Sequence, residues 1–252
     1  MTIAVALANI ALGIIYSCYG VMTLIELKRG WSTLGLSHFG LAWVAMAFTC
    51  GPHHLEHGLH ALISGSNAGA LDVTAVLIGA PAGLTWFFLR VEAIQGGPGD
   101  RFIAGTPRWV HVLPALSVGY TVLALGAGTW VLRNHLDVTP KVTPNLLLLA
   151  VYGMVGYYLL IAQITNHPAM QGWSLSGLAL TIVFPTCGLM HAAFAVYAAS
   201  GRYAVESTGL VIDWLAVPAA IYFVWVVRGL QQGRLTDWNL AGSRVVRESV
   251  VV

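Results

Sequence analysis

Charged side chains are scarce in this chain, since Asp, Glu, Lys and Arg make up only 9% of its residues while hydrophobic residues make up 57%. Soluble domains carry roughly a quarter charged residues. The mean hydropathy of +0.75 agrees with this contrast, so the composition excludes an ordinary soluble domain and predicts an integral membrane protein. The formal charge of +2 supplies no basic face of the kind that nucleic acid requires, and we expect no nucleic-acid partner.

Lysine is nearly absent, because the chain has only Lys28 and Lys141. Both lie at the ends of apolar segments, so no segment interior offers an amine for a retinal Schiff base, which excludes a rhodopsin. The sequence also lacks a Gly-x-Ser-x-Gly elbow, a His-Glu-x-x-His pair, a P-loop and a Gly-x-Gly-x-x-Gly turn. The connecting segments are short, and they leave no room for a nucleotide-binding or extracellular recognition domain.

Seven apolar segments are each long enough to cross a hydrocarbon core, which takes roughly 20 helical residues. They lie at about 3–27, 33–63, 70–94, 108–132, 143–165, 173–199 and 208–230. Their length and continuous apolar character favour helices over the strands of a barrel, so we predict an all-α, polytopic membrane protein with seven transmembrane helices. The first segment has no cationic n-region, and we expect it to remain as a helix instead of being cleaved as a signal peptide.

The basic residues predict an orientation. Of the twelve Lys and Arg residues, three (Arg133, Lys141 and Arg202) fall on one side of the predicted bundle, and nine fall on the other. The side with the excess faces the cytoplasm, so we expect the N-terminus outside and a cytoplasmic tail at 234–252. We predict a bacterial inner membrane as the location.

Two parts of the chain carry the same short motif 137 residues apart. Thr49-Cys50-Gly51 recurs as Thr186-Cys187-Gly188, and a histidine follows each cysteine by four positions. The same offset relates Pro81-Ala82 to Pro218-Ala219 and Gln95-Gly96 to Gln232-Gly233. We therefore predict repeat 1 at 1–97, a linker helix at 107–133 and repeat 2 at 140–233. An alternative is that the matches reflect the Gly, Pro and Trp content of membrane helices.

This 3+1+3 layout resembles the parallel-repeat plan of SWEET-type sugar carriers. The resemblance implies two repeats in the same orientation with a substrate site at their interface. Seven-helix metal hydrolases of the adiponectin-receptor and ceramidase type look similar in broad outline, but their histidine spacing differs from the spacing here. Membrane di-iron oxygenases share dense histidine motifs and generally carry more of them.

Histidine and cysteine supply the candidate site. The run from His53 to His60 holds five potential ligands in eight residues. Cys50 with His54, and Cys187 with His191, are i,i+4 neighbours, so facing helices would offer a Cys2His2 set. A competing set is dominated by histidine and completed across the interface by His191. Either would suit copper or zinc better than magnesium or calcium. The predicted ligands are His53, His54, His57, His60, His191, Cys50 and Cys187.

The reaction at this site stays open. A metal transporter would bind the ion reversibly, whereas a metalloenzyme would use Glu56 or Asp213 as a proton acceptor. Asp72 and Asp213 are further candidate ligands or partners of ligands. We also expect Pro52 and Pro185 to kink or break their helices. The two cysteines have two other interpretations, a disulfide and plain packing.

Two further function classes remain. In a transmembrane electron carrier, His54 and His191 would be axial ligands of one haem b, and His38 and His111 would hold a second. In a small-solute carrier with parallel repeats, the histidines would be incidental. The expected partners are the lipid bilayer, a metal ion or small-molecule substrate, and further copies of the chain or subunits of a membrane complex.

Overall fold

The computed structural model describes residues 2–64, 69–105, 108–135, 139–201, 207–235 and 237. Seven helices dominate this part of the chain, and the all-α prediction is confirmed. They are α1 (Thr2–Leu34), α2 (His38–Ser64), α3 (Ala70–Ile94), α4 (Leu113–Asn134), α5 (Thr139–Met170), α6 (Leu175–Ala199) and α7 (Ser207–Gln231). A short 3-10 helix (Arg108–Val112) precedes α4. Arg202 and, apart from 234, 235 and 237, the predicted tail 234–252 lie outside the described residues.

Six of the seven helices, all except α2, are long and apolar enough to cross a membrane. Helix α2 has 27 residues, which is a sufficient length, but the polar run from His53 to His60 lowers its apolar character. Helix α1 extends to Leu34, beyond the predicted end at 27, and α5 reaches Met170, beyond the predicted end at 165. The sequence therefore predicts the helices correctly and underestimates two of their lengths.

The helices pack around α2 and α6. Helix α2 lies against α1 and α7, and α6 lies against α5 and α3. Helices α1 and α3 also contact each other, as do α5 and α7. Helix α6 is the most buried of the six candidate spans, whereas α4 is at the periphery, with 6% of its apolar window buried. A side chain on the inner face of α2 or α6 is therefore enclosed by protein.

The repeated motif begins with a threonine that binds its own helix. Thr49 Oγ1 donates to the carbonyls of Ala45 and Met46, each at 3.1 Å. Thr186 does the same in α6, donating to Ile182 at 3.0 Å and to Val183 at 2.9 Å. These bonds satisfy a hydroxyl that would otherwise be costly inside a membrane.

The motif glycines allow neighbouring helices to approach closely. A Cβ at Gly51 would lie 2.9 Å from the backbone nitrogen of Ser17 and 3.0 Å from the carbonyl oxygen of Gly13, both on α1. A Cβ at Gly188 would overlap the hydroxyl of Tyr120 on α4. Small residues are the usual means of close helix packing in lipid. Threonine and glycine of each motif therefore serve packing, and only the cysteine and the later histidine remain for chemistry.

The prolines do not interrupt the helices. Pro52 lies inside α2 and Pro185 inside α6, and both helices, which are described throughout, continue past them. Neither helix is broken at its proline, and a kink stays a prediction. Neighbouring helices tolerate an interior proline in a membrane protein because the freed carbonyl finds other partners.

A loop carboxylate anchors the start of α6. The two-residue strands β1 (Phe102–Ile103) and β2 (Trp173–Ser174) pair antiparallel. The Asp100 carboxylate accepts hydrogen bonds from the Ser174 hydroxyl at 2.6 Å and from the Ser176 backbone nitrogen at 2.9 Å. Burial alone would raise the pKa of Asp100, but these hydrogen bonds outweigh it and hold the pKa below its ordinary value.

Candidate metal centre

Cys50, Cys187 and His54 meet where α2 faces α6. The two Sγ atoms are 3.9 Å apart, and Cys187 Sγ lies 3.7 Å from His54 Nε2. One ligand atom from each of the three residues lies within 4.8 Å of the others. The predicted convergence of the two motif cysteines is therefore present, and both cysteines are free thiols.

His53, His191 and Asp213 form a second group next to the first. His53 Nδ1 lies 2.8 Å from Asp213 Oδ1, and His191 Nδ1 lies 4.0 Å from the same oxygen. The His53 and His191 ring centroids are 4.4 Å apart. One ligand atom from each member again lies within 4.8 Å of the others. The two groups together contain six side chains from α2, α6 and α7.

This division differs from both predicted sets. Cys187 and His191 are i,i+4 neighbours, but Cys187 turns toward α2 while His191 turns toward α5 and α7. Four residues of an α-helix advance about 400°, which leaves a difference of roughly 40° in direction. That angle is enough to place the two side chains in separate groups in a packed interior.

An asparagine orients one histidine of each group. Asn9 Nδ2 donates to the carbonyl of Val5 at 3.0 Å, so its Oδ1 faces His54 Nδ1 at 2.8 Å. That oxygen only accepts, so the His54 proton is on Nδ1 and the Nε2 lone pair points toward Cys187. Metal-binding histidines are commonly held in this way by their second nitrogen.

Asn145 has the same role in the second group. Its Nδ2 donates to Asp213 Oδ2 at 2.7 Å, and its Oδ1 accepts from His191 Nδ1 at 2.6 Å. The amide cannot be reversed, because its oxygen would then face a carboxylate. His191 therefore also presents Nε2 as a free lone pair. Asn145 is fully buried, at 0% exposure, so its amide is shielded from solvent.

Two tyrosines make the surroundings of His54 and His191 still more alike. The Tyr16 ring meets the edge of His54 at a centroid distance of 5.2 Å, and the Tyr152 ring meets His191 at 5.4 Å. Tyr16 is on α1 and Tyr152 on α5, the helices that also carry the two asparagines. Each histidine of the repeated motif thus has an asparagine and a tyrosine from the preceding helix in its own half of the chain.

Two polar atoms of the second group lack a hydrogen-bond partner within the described residues. His53 Nδ1 and Asp213 Oδ1 are 2.8 Å apart and form an ion pair when His53 is protonated, although the geometry of a hydrogen bond is not met, and both atoms are buried. Asp213 is 1% exposed and His53 is 5% exposed. Such atoms cost free energy unless water or an ion satisfies them. The donor set of this group therefore fits a cation.

The space beside the cysteines is small. A cavity of about 20 Å³ lies between Tyr16, Tyr152 and the two cysteine side chains. A single water molecule needs roughly 10–15 Å³ by this kind of measure. The cavity admits one ion or water molecule and no organic substrate.

The other predicted residues lie at various distances from these groups. His57 is buried, and its ring stacks on His53 at a centroid distance of 6.4 Å with an interplanar angle of 3°. His60 and Glu56 are half-buried on the same helix. Asp72 accepts a hydrogen bond from the Gly69 nitrogen at 3.0 Å. It therefore stabilises the start of α3, and in the described structure it belongs to neither ligand group.

The predicted second haem site stays a prediction. His38 Nδ1 lies 3.0 Å from the Tyr222 hydroxyl on α7, and His111 is exposed in the 3-10 helix. Among the described residues, no hydrogen bond or ring contact joins His38 to His111.

Asn9 and Asn145 are absent from the predicted site. Asn9 is the one amide side chain of α1, and Asn145 is followed by 17 residues of α5 without another amide. Their offset along the chain equals that between Tyr16 and Tyr152. That coincidence is a signal in the sequence, since a polar side chain inside a membrane span is expensive and usually functional.

Comparison of the chain with protein-family models, curated proteins and solved structures found no match.

Proposed function

We propose that this protein binds a copper or zinc ion between α2 and α6 and carries the ion across the membrane. The observation that supports this most strongly is the pair of buried ligand groups, Cys50–Cys187–His54 and His53–His191–Asp213. Buried histidine, thiol and carboxylate groups without a ligand would be unfavourable in a membrane interior.

The chemistry of the donors favours these metals. Thiolate sulfur and imidazole are preferred by copper(I) and zinc, whereas magnesium and calcium take oxygen ligands. The second group adds one carboxylate to two imidazoles, which is a common donor set for zinc. Asn9 directs Nε2 of His54 toward Cys187, and Asn145 leaves Nε2 of His191 without a proton.

The spacing of His53 and Asp213 fits an ion pair and lies close to that of two metal ligands. His53 Nδ1 and Asp213 Oδ1 are 2.8 Å apart. Two ligand atoms about 2.0–2.1 Å from a tetrahedral zinc ion are roughly 3.3–3.4 Å apart. Coordination of one zinc ion by both atoms would therefore require them to separate by about half an ångström.

Transport is favoured over membrane chemistry by the enclosure of the site. A metalloenzyme needs room for its substrate beside the metal, and the neighbouring cavity of about 20 Å³ is too small for one. The helix contacts also support two repeats with the same plan. Helix α1 contacts α2 and α3, and α3 contacts α6; in the same way α5 contacts α6 and α7, and α7 contacts α2. Carriers built from repeats bind their cargo at the interface between them.

The cavity size also disfavours haem at His54 and His191. Pockets for organic ligands measure about 300–1,000 Å³, whereas the cavity beside Cys50 and Cys187 measures about 20 Å³. A porphyrin between these helices would require α2 and α6 to separate. A colourless protein that holds metal would exclude the haem interpretation, and a Soret band would establish it.

Uptake by proteoliposomes tests the proposal. Untagged protein is reconstituted with a fluorescent copper or zinc indicator trapped inside, and uptake is compared for the native chain, D213N and H167A. Asp213→Asn removes the charge from the ligand group and should abolish uptake. His167 lies near the end of α5, away from the centre, and H167A should transport normally.

The outcome separates the remaining functions. Metal binding without uptake would refute the carrier and leave a metal-binding membrane protein. If the double variant H57A/H191A retains transport of an organic solute, the protein is a solute carrier and its histidines are incidental. Equal uptake by D213N and the native chain would refute the proposal.

A further inference from the structure

A second and larger cavity lies at the other end of the bundle, where α1 and α3 end and α2 begins. Its volume is about 190 Å³, against about 20 Å³ for the cavity beside the cysteines, so it has room for several water molecules. The side chains that matter here are Thr23, Glu26, Trp43, Trp86, Arg90 and Asp237. We name it the Glu26 cavity.

The Glu26 cavity reaches the protein surface and is polar. Arg90 forms an ion pair with Glu26, and these side chains are 28% and 30% exposed. Asp237 accepts hydrogen bonds from the Ser37 hydroxyl at 2.9 Å and from the Phe39 backbone nitrogen at 3.1 Å. Two carboxylates and one guanidinium line the space, so its balance of charge favours a cation.

One residue lines both this cavity and the small cavity beside the cysteines. Trp43 lines both the Glu26 cavity and the small cavity beside the cysteines. Its ring packs against Trp86 at a centroid distance of 4.3 Å and against Phe184 at 5.7 Å. Trp86 lines only the larger of the two cavities and Phe184 only the smaller. Trp43 precedes Cys50 by seven residues, a rise of about 10 Å along α2.

The indole of Trp43 also has an unsatisfied polar atom. Trp43 is 5% exposed, and its Nε1 has no hydrogen-bond partner within the described structure. A buried N–H without an acceptor is unfavourable, and the cost is relieved when water or a ligand oxygen comes within reach. The ring therefore gains a hydrogen bond if it moves from its packed position to one where the N–H can donate to water or to a ligand oxygen.

We infer that the Glu26 cavity is the vestibule through which a hydrated cation passes between one membrane surface and the metal centre, with the Trp43 indole as the gate. The inference rests on the proposed transport function and specifies the route to the same site. The cation exchanges water in the vestibule for thiol and imidazole ligands beyond the gate. Displacement of one side chain joins the two cavities.

Thiol labelling in lipid nanodiscs tests the route. The probe is the small cationic reagent methanethiosulfonate ethylammonium, which reacts with accessible thiolates. Cys18 is exposed and is first replaced by Ser, so that labelling reports only Cys50 and Cys187. Removing the gate with W43A should raise the labelling rate by about tenfold, because reaction then no longer waits for the indole to move.

Matched variants identify the route. W43F keeps a large ring and should change the rate little. W130A removes a tryptophan from peripheral α4 and should have no effect. Thr23→Trp fills the Glu26 cavity and should reverse the increase in the W43A background, whereas A70W, at the first residue of α3, should not. Equal rates for the native chain and W43A, or no effect of T23W, would overturn the vestibule.

Failure of this inference is distinguishable from failure of metal transport. Labelling needs no metal. If the native chain takes up no metal, but W43A and T23W still change the labelling rate as expected, metal transport is refuted and the vestibule is supported. If W43A does not fold, T23W in the presence of Trp43 supplies the test, and slower labelling is expected. An unchanged rate there would also overturn the inference.

Discussion

Replacing Asn145 with Ala tests how the second ligand group is held together. The substitution removes the hydrogen bond to Asp213 Oδ2 at 2.7 Å and the one from His191 Nδ1 at 2.6 Å. Both partners remain buried, with Asp213 1% and His191 2% exposed. A hydrogen bond to a charged group contributes about 1.5–3 kcal/mol and a neutral one about 0.5–1.5 kcal/mol. We expect N145A to lower the free energy of unfolding by about 2–4 kcal/mol.

Asn9→Ala should lower the free energy of unfolding by less than Asn145→Ala does, although the same side chain is removed. Asn9 makes one hydrogen bond to His54, and its other bond goes to the Val5 carbonyl of its own helix. We expect a loss of about 1 kcal/mol. Asn134 supplies a matched control, because it also donates to a carbonyl of its own helix, at 2.8 Å to Trp130, but is exposed. N134A should leave stability unchanged.

The two substitutions should also weaken metal binding. Loss of a group that orients a ligand typically lowers metal affinity by about 10–100-fold. Stability is measured by denaturant titration in mixed micelles, and affinity by competition with a chelator of known strength. Equal loss of stability in N145A and N9A, or native affinity in both, would refute the assignment of these asparagines as orienting groups.

Three further predictions follow from the packing, the thiols and the loop. Gly51→Val should lower the free energy of unfolding by about 1–3 kcal/mol, because α1 must move away from α2; native stability in the same titration would contradict the packing assigned to this glycine. Without metal, diamide should oxidise Cys50 and Cys187 to a disulfide and leave Cys18 as the free thiol, because the paired Sγ atoms are 3.9 Å apart; thiol titration measures this, and bound metal should protect the pair. The pKa of Asp100 is lowered in the folded protein. The stabilisation by its carboxylate is therefore present when the pH is above the ordinary pKa of Asp. It is lost below about pH 4, as the pH falls through the lowered pKa of the folded state. D100N should abolish that acid-dependent loss, and an unchanged pH profile of unfolding would count against the anchoring role.

The helical fold is readable from the sequence because membrane spans have a length and a composition that few other structures share. The pairing of Cys50 with Cys187 follows from the repeated motif. The partition of the histidines does not follow, because His191 turns toward Asn145 and Asp213 on other helices. Helix rotation decides this, and it depends on contacts such as that of Gly51 with α1, which only the assembled bundle shows.

The status of α2 shows a similar limit. Its apolar stretch can face lipid, whereas its polar run from His53 to His60 must be shielded from lipid. The neighbours that shield the polar run cannot be read from the sequence alone. The structure encloses most of it, with His53, His54 and His57 buried. Helices α1 and α7 pack against α2, and His54 of α2 lies beside Cys187 of α6, so these imidazoles avoid lipid.

X-ray absorption spectroscopy of the untagged, metal-loaded protein tests the central claim most directly. We expect bound copper or zinc with nitrogen or oxygen scatterers at about 2.0–2.1 Å, together with sulfur at about 2.3 Å if the Cys50 group takes part. The nitrogen signal should fall in H191A and the sulfur signal in C187S. A protein that retains no metal after loading, or a spectrum unchanged in both variants, would contradict the account.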